Sequence, residues 1–169
     1  DGEHLFGPWL KIAEDGKVIV AIPQSESGQG VYTALAQIVA GELGADWRSV
    51  AVQPVPPSPI FANTLLAREW SPAFLPENVG VDGDSGILAS SINELARRDM
   101  FVVTGGSSSI RQFEMPCREA GAAARALLCQ AAAARWDIAW EQCRTERGFV
   151  IAGKRRTSFA DLAVEASAL

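Results

Sequence analysis

The chain has 169 residues, 48% hydrophobic and 21% charged, with a net charge of −5, the composition of a globular chain long enough to bury a core as one domain. Its acidic balance argues against a nucleic-acid surface, and the basic run Lys154-Arg155-Arg156 reads as a solvated turn. No apolar run approaches the ~20 residues of a membrane span, and the alanine-rich stretch 120–134 is interrupted by Arg125 and Gln130.

In chain order, residues 9–13 and 18–22 alternate like strands around Glu14-Asp15-Gly16-Lys17, which predicts a β-hairpin. Pro23 ends the second strand and a polar loop follows, from Gln24 to Gly30. Leu35, Ile38, Val39 and Leu43 recur at helical spacing, predicting a helix over 31–43 that stops at Gly44. Residues 50–53 read as a third strand, ended by Pro54, Pro56, Pro57 and Pro59. Residues 54–90 read as a long loop with one helical turn near 65–70. A loop of that length is usually functional or covered by a partner, and Trp70 and Phe74 are its candidate contact residues. A short helix is expected over 87–98 and a strand over 101–103.

A second glycine loop, Thr104-Gly105-Gly106-Ser107-Ser108-Ser109, precedes the longest helix, 110–136, in which Pro116 marks either a kink or the true start. The alanines of that helix give a smooth face suited to close approach to a sheet. Residues 144–146 and 149–151, joined by Arg147-Gly148, read as another hairpin. Ser158 as N-cap, with Asp161 at the third helical position, predicts a last helix over 159–168. The expected fold is α+β, a single domain over 1–169 with a small mixed β-sheet and long helices packed on one face.

Both glycine loops join a strand to a helix N-terminus, where free N–H groups and the helix dipole favour an anion. Gly28 and Gly30 permit positive φ or close backbone approach. Gln29 adds an amide, and Thr33 and Ser107 to Ser109 add hydroxyls, a set suited to phosphate without a cationic side chain. Turns use Gly and Ser for geometry alone, so each loop by itself admits both readings. Gly28-Gln29-Gly30 begins the dinucleotide pattern G-x-G-x-x-G, but Thr33 holds its third glycine position and no acidic ribose ligand follows near residue 50. No Walker Gly-Lys-Ser/Thr and no G-x-S-x-G elbow occur. His4 is the single histidine, which leaves a hydrolytic triad and a metal site without their usual donors. Glu26, inside the first loop, reads as a turn-stabilising acid or a general base. Cys117 and Cys129 lie too far apart for a disulfide on one straight helix, about 18 Å, so the three cysteines read as buried thiols.

The run Pro23-Gln24-Ser25-Glu26-Ser27-Gly28-Gln29-Gly30-Val31-Tyr32-Thr33 resembles the S-E-M-G-Q-G-x-x-T segment of the xanthine dehydrogenase and aldehyde oxidoreductase superfamily. Val39-Ala40-Gly41-Glu42-Leu43, Asp46-Trp47, the second glycine loop, Arg118-Glu119-Ala120-Gly121-Ala122, Ala124-Arg125-Ala126-Leu127-Leu128 and Trp136 look like its isoquinoline 1-oxidoreductase β-subunit type, the molybdopterin-binding large subunit. The resemblance runs from about Pro8 to Ala166. It implies that Gly28, Gln29, Gly30 and Thr33, with Gly105, Gly106, Ser107 and Ser108, contact molybdopterin cytosine dinucleotide. It further implies the remaining large-subunit domains and an iron–sulfur (2Fe–2S) small subunit as partners, and leaves the compartment open between bacterial cytoplasm and periplasm.

Ser27 stands where the family usually has Met, so packing in the first loop is expected to differ. The family's F-G-containing segment and the catalytic Glu of its G-E-x-P segment do not occur in these 169 residues. The chain is therefore expected to be a fragment or one piece of a split subunit, without a catalytic or metal-ligating residue of its own. Its expected role is the cofactor-binding portion of a molybdenum hydroxylase that oxidises an N-heterocycle or aldehyde with water as oxygen source. The alternative is a non-catalytic scaffold module of such a complex.

Overall fold

A computed structural model of the chain describes residues 2–73 and 86–169. The chain divides into two compact units, one of Asp1–Ile22, Tyr32–Gln53 and Glu114–Leu169, the other of Pro23–Val31 and Pro54–Phe113. The fold class is α+β.

The first unit holds two sheets where one was expected. A four-stranded sheet has the order β1 (Glu3–Leu5), β2 (Leu10–Ala13), β3 (Val18–Ile22), β4 (Val50–Pro54). β2 and β3 form the predicted antiparallel hairpin, with Ile12 opposite Val18 and Leu10 opposite Val20. These four side chains are fully buried, as alternation on a half-buried strand requires. Gly16 supplies the turn's positive φ of 86°. α1 (Val31–Leu43) runs over the predicted residues and carries the chain from β3 to β4. It buries Leu35, Val39 and Leu43.

The second sheet, of order β5 (Arg144–Glu146), β6 (Phe149–Ala152), β7 (Arg155–Ser158), is an antiparallel meander. Arg147 and Gly148 both have positive φ, 49° and 79°, as a tight two-residue hairpin turn needs. Of Lys154-Arg155-Arg156, read as a solvated turn, all three are exposed and Lys154 lies in the turn, but Arg155 and Arg156 belong to β7. Arg156 lies over the Phe149 ring, 3.5 Å from its centroid, and Arg155 donates to the Trp136 carbonyl at 2.5 Å. α5 (Phe159–Ser167) starts with the predicted Ser158–Asp161 capping box and packs against β1, β2 and β7.

α4 (Ser108–Trp136) is continuous through Pro116, so that proline is not the helix start. Its close approach is to another helix rather than to a sheet. A Cβ on Gly121 would stand 2.6 Å from the Val39 carbonyl oxygen of α1, closer than real contacts come.

The second unit contains α2 (Thr64–Trp70), α3 (Ile87–Arg98) and the first residues of α4. Much of the expected long loop is therefore wound. Pro59 opens a single 3-10 turn over Pro59–Phe61, Asn63 caps α2, which is longer than the one turn expected, and Ser71–Ala73 adds another 3-10 turn. α2 packs on α3, burying Leu66, Ile92 and Ala96. The Trp70 and Phe101 rings meet edge to face at 6.3 Å. Phe74 lies outside the described residues. The strand expected over 101–103 does not form. Its carbonyls are taken singly, Phe101 by the Asn63 N–H at 2.6 Å and Val102 by the Ser25 N–H at 3.0 Å, so no ladder develops. No helix among the described residues is long and apolar enough to cross a membrane.

Candidate cofactor-binding loops

The two glycine loops, read separately in the sequence, belong to the same unit and are joined by a buried polar network. Gln24 is 1% exposed. Its amide donates to the Phe61 carbonyl at 2.7 Å and accepts from the Ser109 hydroxyl at 3.0 Å. Ser25 donates to the Val102 carbonyl through both its N–H, at 3.0 Å, and its hydroxyl, at 3.1 Å. Thr104 and Ser109 share a hydrogen bond of 2.9 Å.

Asn63, wholly buried, is the hub beneath the second loop. Its amide donates to the Val103 carbonyl at 2.9 Å and the Ser108 hydroxyl at 2.8 Å. Its carbonyl oxygen accepts from Leu66 N–H at 3.1 Å, the N-cap bond of α2. Gln112 completes the frame, donating to the Ala62 carbonyl and accepting from Leu65 N–H, both at 2.7 Å. Buried amides survive in a core when both ends of the group are satisfied, as Gln24, Asn63 and Gln112 are here.

On this frame the first loop closes around its own side chains. One carboxylate oxygen of Glu26 accepts from Gly28 N–H at 2.6 Å and Gly30 N–H at 3.1 Å. The Gln29 amide accepts from Ser27 N–H at 2.6 Å and the Ser27 hydroxyl at 3.0 Å, and donates to the Ser25 carbonyl at 2.7 Å. Gly28 and Gly30 have φ of 98° and 88° with nothing within 4 Å of an added Cβ. They are glycine for backbone conformation, and open space lies in front of them. The Gly28 and Gly30 N–H groups converge on one anionic oxygen, the arrangement of an anion-binding nest.

In the second loop Gly106 and Ser107 are consecutively left-handed, at φ of 52° and 58°, and both are exposed. The positive φ of Ser107 is uncommon for a side-chain-bearing residue and is held by the bonds around it. Ser108 turns inward, its hydroxyl wholly buried against Asn63, and its N–H closes a turn onto Gly105 at 2.9 Å. Gly105 packs against α2, where an added Cβ would lie 3.2 Å from the Trp70 ring. Thr33 is exposed on α1 and belongs to the first unit.

Gly28, Gln29 and Gly30 thus share one unit with Gly105, Gly106, Ser107 and Ser108, on loops whose bases are tied by the Gln24–Ser109 and Ser25–Val102 bonds, while Thr33 falls in the other unit. Sequence reasoning missed Gln24, Asn63, Ser109 as a link, and Gln112. An Asn immediately before a helical run is an N-cap signal and marks Asn63. Gln24 carries none, because Gln is ordinarily exposed. The cysteines are free, Cys117 and Cys129 buried and Cys143 partly so. Burial pushes the Cys117 thiol up to about 12.

Residues 4–56 match the molybdopterin cofactor-binding domain family. The isoquinoline 1-oxidoreductase β subunit of Brevundimonas diminuta is 30% identical over 151 residues, covering 89% of this chain and 15% of that protein. The chain is similar to this subunit over most of its own length, and its match to the molybdopterin cofactor-binding domain family lies in residues 4–56. A membrane-bound aldehyde dehydrogenase (pyrroloquinoline-quinone) of Gluconacetobacter polyoxogenes is 29% identical over 163 residues, covering 95% of this chain and 16% of that protein. In fold, the chain is similar to quinoline 2-oxidoreductase from Pseudomonas putida 86, with a TM-score of 0.54 and 20% identity over 91% of this chain and 15% of the other. The chain spans about 15% of the length of the relatives it matches.

Proposed function

We propose that this chain supplies loops that hold the dinucleotide end of a molybdopterin cofactor, in its cytosine form, within a molybdenum hydroxylase acting on an N-heterocycle or an aldehyde. The observation that carries the reading is the pair of left-handed glycines, Gly28 and Gly30, whose N–H groups already hold one anionic oxygen and whose α-carbons border open space. The carboxylate of Glu26 stands where a phosphate oxygen would, so the loop's donor set fits such a group. When bound, the cofactor supplies oxidation of a carbon centre with water as the oxygen source.

The roles of the chain's own residues follow from their present bonds. Gly28 and Gly30 hold an anionic oxygen through backbone N–H groups, and Glu26 yields them to a phosphate. Gln29 braces the loop between Ser25 and Ser27 and so keeps the Gly28 and Gly30 N–H groups in place for the ligand. Gly106 and Ser107 offer a second, exposed backbone surface, and Gly105 and the Ser108 side chain support it from beneath. Thr33 adds a hydroxyl, on the resemblance alone. No residue of this chain takes the base role, which belongs to the remaining large-subunit domains, and electrons leave through an iron–sulfur (2Fe–2S) subunit.

The test is the molybdenum and nucleotide content of the full-length protein, purified with its small subunit from a host that makes the cofactor. Stoichiometric molybdenum with a cytosine dinucleotide is expected. Molybdenum with another nucleotide would correct the cofactor form. An assembled complex with neither would leave a scaffold module in place of the cofactor reading.

A further inference from the structure

A cleft in the first unit, separate from both glycine loops, lies between α4 and the start of β5. It has a volume of about 370 Å³ and is lined by Arg125, Cys129, Trp140, Cys143, Arg144 and Thr145, with two alanines of α4. In a chain of net charge −5, this lining holds two guanidinium groups and no carboxylate. Arg144 spends part of its charge on Glu146, at 3.5 Å, with both side chains more than half exposed. Such an exposed pair is weak. The Arg125 guanidinium makes no hydrogen bond or ion pair among the described residues. Trp140 is a large ring left 44% exposed at the same cleft. The two thiols are neutral at physiological pH. Burial pushes Cys129 up to about 11 and raises Cys143 as well, so they add apolar lining and no opposing charge.

We propose that this cleft is a binding site for a small planar aromatic carboxylate, which Arg125 and Arg144 hold by its anionic end and Trp140 by its ring face. Guanidinium groups match the planar, two-oxygen geometry of a carboxylate. An aromatic ring stacks on the indole and fills the apolar half of the cleft. The site lies within the first unit and rests on no part of the cofactor reading.

Benzoate is the probe and benzamide its neutral, equally shaped control. The full-length protein is labelled with iodoacetamide and the modification of Cys143 is followed by peptide mass spectrometry, with Cys117 as the buried internal standard. Benzoate is expected to slow labelling of Cys143 several-fold in a saturable way, and benzamide is not. Arg125→Gln is expected to raise the benzoate concentration needed by about tenfold or more, the usual loss for a charge-assisted hydrogen bond. Arg144→Gln is expected to act in the same direction, and Trp140→Leu to weaken both the protection and any residual benzamide effect. Unchanged melting temperatures separate these effects from misfolding. Equal protection by benzoate and benzamide, equal protection in the arginine variants, or a Cys143 that does not label in the full-length protein would each overturn the proposal.

Discussion

Replacing Asn63 by Ala tests whether the buried network positions the second glycine loop. The side chain is wholly buried and makes three short bonds, to Val103 O, Ser108 Oγ and Leu66 N. Losing the α2 cap costs about 1 kcal/mol. Each buried group left unpaired costs a further ~1–3 kcal/mol where no water reaches it. Losses within one network do not add fully, so local opening of residues 101–109 should become easier by about 2–4 kcal/mol, some 30- to 1000-fold in exchange protection. Hydrogen exchange on the full-length protein reads this directly, with peptides from the β5–β7 meander as the unaffected reference. Asn63→Asp separates the two halves of the argument. It keeps the acceptor that caps Leu66 but sets a carboxylate against the Val103 carbonyl, so the loop should lose protection while the start of α2 keeps it. Less than a tenfold loss in Asn63→Ala, or an equal loss in the reference peptides, would refute the hub role.

Three further outcomes are expected. Gly121→Ala gains about 1 kcal/mol of helix propensity, yet its Cβ would stand 2.6 Å from Val39 O and 2.9 Å from Glu42 Cβ. Overpacking of backbone against backbone costs more, about 1–3 kcal/mol, so the melting temperature should fall, and an unchanged or raised one would count against the helix contact. Gln29→Ala should weaken dinucleotide retention in the full complex by about 1–3 kcal/mol and speed exchange at Ser27, because the amide holds the loop. Full cofactor occupancy with unaltered exchange would remove Gln29 from the reading. The Ser158 hydroxyl, then its N–H, hold the Asp161 carboxyl below its ordinary value of 3.8. A depressed carboxyl contributes stability above its unfolded pKa that is lost as pH falls through the folded one. Exchange in α5 should therefore rise in wild type below about pH 4, and Asp161→Asn should show a smaller change between pH 6 and pH 3, the remainder coming from Glu165, whose carboxyl the hydrogen bond from Arg135 also lowers.

The local elements written in single side-chain patterns were legible. α1, α3, α5 and both hairpins follow from apolar spacing, Gly16, Arg147-Gly148 and the Ser158–Asp161 box. What escaped was whatever a second segment decides. Residues 101–103 have strand composition, but their carbonyls are claimed one at a time by Asn63 and Ser25. β7 begins with two exposed arginines that read as turn until Phe149 and the Trp136 carbonyl are found beside them. The stretch after Pro54 looked structureless because prolines mask short 3-10 turns and a seven-residue helix. For the loops, glycine and serine composition gave the anion-binding character, and resemblance to the family gave the cofactor. Neither indicated that Gln24 and Ser109 tie one loop to the other.

The carboxylate of Glu26 changes what the first loop contributes to binding. A phosphate oxygen arriving at Gly28 and Gly30 does not meet vacant N–H groups; it exchanges with an anion already there, and gains only the difference between the two sets of bonds. The loop's contribution to affinity is then largely pre-organisation. Two left-handed glycines, which an open loop would sample among many other conformations, are held in place before any ligand arrives. The same logic makes a single contact insufficient. On the proposed reading, displacing Glu26 becomes favourable for a ligand that touches Gly106 and Ser107 as well, on the loop that the Gln24–Ser109 and Ser25–Val102 bonds tie to the first. A lone phosphate should therefore bind this chain poorly compared with a dinucleotide, even though the N–H groups that would hold it are the same.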